Sequence, residues 1–171
     1  MSRLVRNTAL TFVLAATGFN AFAAQDNDDF VEDASAKGVA EIQAGKLAQE
    51  KGTSADVKSF ADMMVKDHTK ANEELAKIAA SKKLEVSTEA MLMDKAKAMI
   101  LDLRGAKSFD RAYANNQVMA HEQTIALFEK EANEGKDADL KAFASKMLPD
   151  LKKHLEHAKT LAKAHGGDAA Q

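Results

Sequence analysis

Ala55-Asp56-Val57-Lys58-Ser59-Phe60-Ala61 returns later in the chain as Ala138-Asp139-Leu140-Lys141-Ala142-Phe143-Ala144, and in the same register Met64 meets Met147 and Asp67 meets Asp150. Both copies space their apolar residues three and four apart, the period of a helix with one buried face. Each follows a turn signal, Gly52-Thr53-Ser54 before the first and Gly135-Lys136-Asp137 before the second. A helical pattern precedes each turn, so the echo predicts two helical hairpins. In the first, a helix from Asp28 to Lys51 ends at Gly52 as a left-handed cap. Thr53 and Ser54 then supply capping hydroxyls for a helix from Ala55 to about Ala80. In the second, a helix capped by Ser108 runs to about Asn133, and its partner runs from Ala138 to about Ala164. Between the hairpins, polar residues 81–85 lead to a short apolar helix, Thr88 to Leu103, capped by Ser87 and stopped at Gly105. The expected fold class is all-α: a four-helix bundle with an extra helix in a long crossover connection.

Composition agrees. One proline, eight glycines and no tryptophan accompany abundant Ala, Lys, Glu and Leu, the residues helices use. Cysteine is absent, which excludes disulfides, thiolate metal sites and a lipoprotein anchor. The chain starts as an export signal does: basic Arg3 and Arg6, an apolar stretch from Thr8 to Phe19, then small residues at Ala21 and Ala23. Residues 1–23 are therefore expected as a signal peptide cleaved after Ala23, residues 24–27 as a short disordered leader, 28–165 as the bundle and 166–171 as a frayed end. The apolar stretch is short for a membrane span, so none is expected after cleavage, and the expected location is the periplasm or the exterior. Cleavage takes the formal charge from −2 to −4, and no basic stripe suggests a nucleic-acid partner.

Helical phase, at about 100° per residue, sorts the polar groups. In the first helix Glu41 shares a face with Phe30, Ala34, Gly38, Gly45 and Ala48, while Ser35, Gln43, Lys46 and Glu50 lie opposite. His68 centres the stripe of Val57, Ala61, Met64, Val65, Leu75 and Ala79, with Asn72 one turn on. His121 sits among Ala114, Val118, Ile125, Phe128 and Ala132, with Gln117 beside it. His154 sits among Phe143, Met147, Leu151, Ala158 and Leu161, with Asp150 one turn before and His157 at the edge. Counted in turns from Gly52 and Gly135, Glu41, His68, His121 and His154 reach a common depth. One carboxylate and three imidazoles there suit a divalent metal such as iron, zinc or copper. Asp150, Asn72, Gln117 and His157 stand by as outer partners or alternates. The same residues also suit a buried hydrogen-bond network that fixes helix register.

Other signals are smaller. Met91, Met93 and Met99 resemble thioether copper ligands, but methionine on an amphipathic helix ordinarily fills core gaps. Pro149 removes one helical hydrogen bond and predicts a kink just before Asp150 and His154.

The segments Gly38-Val39-Ala40-Glu41, Val57 to Ala61, Met64-Val65-Lys66-Asp67-His68 and Asn72-Glu73-Glu74-Leu75 form half of a pattern. Phe109-Asp110-Arg111-Ala112-Tyr113, His121-Glu122, Leu127-Phe128-Glu129 and Leu148-Pro149-Asp150-Leu151-Lys152-Lys153-His154-Leu155 form the other. Together they resemble the exported bacterial family known as domain of unknown function 4142, grouped with ferritin-like folds. The resemblance implies a ferritin-like fold and export, and no assigned reaction. Di-iron bundles carry Glu-x-x-His on two helices. Here Val65 precedes His68 and Leu151 precedes His154 at that spacing, so the di-iron ligand set is incomplete.

Two functions follow as expectations. One is an exported ferritin-like bundle binding a divalent metal through Glu41, His68, His121 and His154, in an envelope or stress role. The other is a non-enzymatic envelope protein with a structural Glu/His core and an unidentified protein partner. Glu41 with His121 has the groups for acid–base chemistry, but no nucleophile constellation or substrate signal points to an enzyme.

Overall fold

The computed structural model describes residues 18–169, with side chains from Asp26 onward, Lys107 excepted. Residues 1–17, most of the expected signal peptide, lie outside that range, as do Ala170 and Gln171. Five helices form the described chain: α1 Gly18–Lys51, α2 Ala55–Lys82, α3 Leu92–Asp102, α4 Ala106–Glu134 and α5 Ala138–Ala164. Among the described residues there is no strand.

Helix α1 begins well ahead of Asp28, so residues 24–27, expected as a disordered leader, are helical. Ala21, Ala23, Ala24 and Gln25 favour helix, and no glycine or proline interrupts the run from Phe19 to Lys37. Helix α3 is shorter than the apolar stretch suggested. Ser87 spends its hydroxyl on the backbone of Glu89 instead of capping, and Met91 takes the cap position. Gly105 occupies the cap of α4, with Ser108 inside the first turn. Helix α5 is capped by Asp137, whose carboxylate accepts from the N–H groups of Asp139 and Leu140 at 3.0 and 3.1 Å.

Gly52 does not take the left-handed conformation; the described residues that do are Lys83 (φ 59°) and Gly166 (φ 70°). Gly52 is required for space, since a Cβ there would stand 2.5 Å from the Ala48 carbonyl. Lys83 closes α2 in a Schellman turn, its N–H and that of Leu84 bonding Ala80 and Ala79. Gly166 does the same for α5, and Gly167 N–H reaches Ala162 O at 2.7 Å. The expected frayed end is thus held down through residue 169. Asn115 on α4 donates to Asp168 Oδ1 at 2.7 Å and accepts from Ala169 N–H at 3.2 Å.

Helix α1 packs along α2, and α4 along α5; shorter α1–α4 and α2–α5 contacts close the remaining sides, and α3 lies against α1 and α4. Glycines set the α1–α2 distance: a Cβ on Gly45 would come within 2.7 Å of Val65 Cγ2 and 3.2 Å of the Ala61 carbonyl. The buried side chains divide into two apolar clusters. One holds Phe60, Met64, Phe109, Tyr113, Val118 and Ala158. The other holds Phe30, Leu75, Ile125, Phe128, Phe143 and Leu151. Ser35, placed by phase on the outer side of α1, is buried, because the crossover passes over it. Ser87 N–H donates to Ser35 Oγ at 2.7 Å, and Ser35 donates onward to the Val31 carbonyl at 2.7 Å.

Asp110, buried near the start of α4, holds the α1–α2 turn. Its carboxylate accepts from Thr53 N–H at 3.0 Å, Thr53 hydroxyl at 2.6 Å, Ser54 N–H at 3.0 Å and Ser54 hydroxyl. The Thr53 and Ser54 hydroxyls, expected to cap α2, serve this contact instead, and Ser54 makes no side-chain cap. Burial raises the Asp110 pKa, but the hydrogen bonds from Ser54 and Thr53 outweigh it and hold the group below the usual carboxylate value. Asp110→Ala strands four donors, and a loss of roughly 2–4 kcal/mol is expected in urea denaturation. A loss under about 0.5 kcal/mol, within the ordinary range of surface substitutions, would show that the turn holds without it. Lys83→Gly relieves a strained left-handed lysine, and a gain of about 0.5–1 kcal/mol is expected in the same measurement.

Candidate metal centre

The two apolar clusters meet across a polar layer. His68 lies on α2 between Met64 of one cluster and Leu75 of the other. His121 lies on α4 between Val118 and Ile125, and His154 on α5 between Ala158 and Leu151. A histidine at the centre of each apolar stripe has nowhere to go but inward, and all three are buried. Their ring centroids form a near-equilateral triangle of 5.5, 5.5 and 5.7 Å. One ligand-competent nitrogen from each ring lies within 4.8 Å of the other two. Metal–imidazole bonds of about 2.0–2.1 Å in a tetrahedral site place nitrogens about 3.3 Å apart, so small ring rotations close the set.

The tautomers follow from the partners. His121 Nδ1 lies 2.9 Å from the Gln117 carbonyl, which can only accept, so Nδ1 carries the proton and Nε2 presents a lone pair. His154 Nε2 lies 3.2 Å from Asp67 Oδ2, so that nitrogen donates and Nδ1 is bare. His121 Nε2, His154 Nδ1 and His68 Nε2 are all buried without a hydrogen-bond partner. Each such orphan costs on the order of 1–3 kcal/mol. Burial pushes His68 well below the ordinary imidazole pKa, with His121 and His154 adding to it. Burial, then His121, lowers His154 as well, against an opposing pull from Asp67. Both are neutral at neutral pH, the protonation state that metal ligation requires.

Glu41 is buried but stands outside this triangle. Its Oε2 accepts from Gln117 Nε2 at 2.7 Å, and it faces Lys37, Asp94 and Lys97 on the α3 side. Burial raises its pKa, opposed by His121 and by the Gln117 bond. The four-ligand set expected from the sequence therefore reduces to three imidazoles, because the amide of Gln117 claims the carboxylate. Gln117 supports both groups, through its side chain and its carbonyl. Asn72 does not orient an imidazole; its amide donates to the Ser35 carbonyl at 3.1 Å, securing α2 to α1. Asp150 is exposed and paired with Lys153 at 3.0 Å. His157 is exposed, edge-on to Phe60 with centroids 5.0 Å apart.

Asp67 is the residue of the candidate site that helix phase missed. Its neighbour in sequence is His68, yet it serves His154 on another helix, a pairing visible only in three dimensions. The centre opens to a cavity of about 360 Å³ between α2 and α5. His68 and His154 line its floor, Leu75, Phe128 and Phe143 its walls, and Asp67, Asp150 and His157 also line it.

No helix among the described residues is long and apolar enough to cross a membrane. No curated protein matches the chain. The crystal structure of a conserved hypothetical protein, rv2844, from Mycobacterium tuberculosis is similar in fold, with a TM-score of 0.63 at 13% sequence identity, covering 83% of this chain and 94% of that one. A likeness at that identity speaks to the helical architecture alone. The family model described as Domain of unknown function (DUF4142) matches residues 14–161, and the chain belongs to that family.

Proposed function

We propose that this protein is an exported, ferritin-like four-helix bundle of two hairpins that binds one divalent transition-metal ion through His68, His121 and His154. The observation that carries the reading is three buried histidines that each offer one ring nitrogen within 4.8 Å of the other two, and each keep one buried ring nitrogen without a partner. Three neutral imidazoles suit zinc, iron, copper or nickel. Three protein ligands with a fourth position open to a cavity resemble reactive zinc sites more than closed structural ones. Asp67 holds His154 as a carboxylate typically holds a metal-bound imidazole, and its charge partly balances the cation. The export reading rests on the signal-like residues 1–23, and the site of action is the periplasm or the exterior. For Glu41, the Gln117 bond favours the structural reading: this half of the polar layer fixes α1 against α4.

Metal analysis of protein purified without chelator is expected to give one equivalent of metal. In apoprotein, zinc at about a hundredfold over its Kd should add roughly 2.7 kcal/mol of stability, which for a chain of this size raises Tm by about 5–10 °C. His68→Ala with His121→Ala should abolish both signals. Metal-free protein with no thermal response to zinc, iron, copper or nickel overturns the proposal. Asp67→Asn should weaken metal binding by about 10- to 100-fold, with the apoprotein's stability little changed.

The pH dependence of the apoprotein has a definite sign. Unfolded imidazoles take protons near 6.5, whereas folded His68 and His154 resist them, so the unfolded state binds more protons below that pH. Their contribution is present above 6.5 and is lost as pH falls through the lowered folded values. Glu41, raised above 4.5 by burial, acts oppositely, its contribution fading as pH rises through its folded value. Urea denaturation in chelator should show stability falling below about pH 6.5. His68→Leu should flatten that slope, and an unchanged slope would remove His68 from the account.

A further inference from the structure

Helix α3 is turned the wrong way for a helix that merely covers a bundle. Its bundle side carries Leu101, which is buried, and half-buried Asp94, Lys97 and Ala98. Its outer side carries Leu92 and Leu103, each 81% exposed, with Met93, Met99 and Ile100 between them. The methionines expected to fill core gaps therefore face solvent. The exposed large apolar side chains of the described residues are those five, adjoining Met91, and Met119 on neighbouring α4. Ile100 and Met119 line one groove between α3 and α4.

The spacing of the stripe identifies what fits it. Leu92, Ala96, Met99 and Leu103 recur at intervals of four, three and four, the seam by which one α-helix packs against another. Ala96, exposed near the middle, has no bulk to hold a second backbone away. The seven exposed side chains offer on the order of 800 Å², about what each partner contributes to a standard interface and more than a monomer ordinarily leaves uncovered.

We propose that this face is a dimer interface in which α3 packs antiparallel against α3 of a second copy. The charges select that direction. Glu89, which pairs with Lys95 within the chain, lies at the N-terminal end of the stripe, and Arg104 and Arg111 lie at its C-terminal end, all exposed. A parallel pairing sets Arg104 beside Arg104. The antiparallel pairing, with its twofold axis between Ala96 and Met99, sets Leu92 beside the second copy's Leu103 and brings Glu89 toward the second copy's Arg104. Such an interface is isologous, the commonest form of closed assembly. Lys51 and Lys97, which pair with Asp102 and Asp94, leave the rim without an unmatched acidic block.

Sedimentation equilibrium of the purified protein, with chelator, tests this independently of any metal. The expected result is a dimer that becomes a monomer in Leu92→Glu with Met99→Glu, the dissociation constant rising at least about a hundredfold while helicity is unchanged. Both residues are exposed in the single chain, so loss of folding is not expected, and circular dichroism checks it. Glu89→Arg and Arg104→Glu should each weaken the dimer, and the two together should restore it. A protein that stays monomeric at about 100 μM, or a dimer indifferent to the double glutamate variant, overturns the proposal. Flotation with phosphatidylglycerol vesicles supplies the remaining arm. A monomer that binds them through this stripe, and loses binding in the glutamate variant, assigns the face to lipid and overturns the dimer.

Discussion

Four hydrogen bonds onto the Asp110 carboxylate fix the register of the molecule. They tie the turn between α1 and α2 to the first turns of α4, and so decide which level of α2 faces which level of α4. A slip of one turn would move α2 by about 5.4 Å relative to α4. His68 and His121 would then face apolar layers instead of one another. At the opposite end, Lys82 reaches Asp137 and Asp139 at 2.7 Å, setting the level of α5 against α2. That pair is more exposed and weaker, but it bears on the same alignment. The convergence of three imidazoles is thus a consequence of contacts at the ends of the helices.

The polar layer costs stability in the absence of a ligand. Three unpartnered imidazole nitrogens, the unpartnered Tyr113 hydroxyl and the unpartnered side-chain Oε1 of Gln117 are all buried in or beside two well-packed apolar clusters. A core chosen only for stability would fill these positions with leucine. Burial pushes the Tyr113 pKa well up, and the nearby Glu41 charge pushes it further, so the phenol stays neutral. A cation shared among the imidazoles, as proposed above, would offset their cost, and the cavity lined by His68 and His154 would give it a route in. Such local disagreement between packing and polarity is where function is expected to reside.

Much of this was legible in the chain. The period of the apolar residues placed α2 and α5 almost to the residue, and phase alone brought His68, His121 and His154 inward. Glu41 was correctly buried, but phase carries no information on partners, and Gln117 was as able to claim it as a metal. Ser35 and the α3 methionines failed for one reason. Periodicity finds a helix's apolar side without saying whether that side meets its own bundle, a crossover segment or nothing. Asp67 was hidden differently, since a half-exposed aspartate beside a histidine in sequence looks like ordinary surface charge. The glycine at 52 and the ends at Lys83 and Gly166 depended on chain direction after the helix, which local composition constrains weakly.

Gly45 bears on the proposed metal centre without approaching it. Where it meets Val65 and the Ala61 carbonyl, α1 and α2 rest nearly backbone on backbone. His68 is mounted on α2 within a turn of Val65, so the thickness of that contact is part of the ligand geometry. A single added methyl group would act as a shim, shifting α2 by several tenths of an ångström away from α1 and carrying His68 with it. Coordination bonds accept about 0.2 Å. The tolerance of the centre is therefore machined on the far side of the helix, by a residue with no side chain at all.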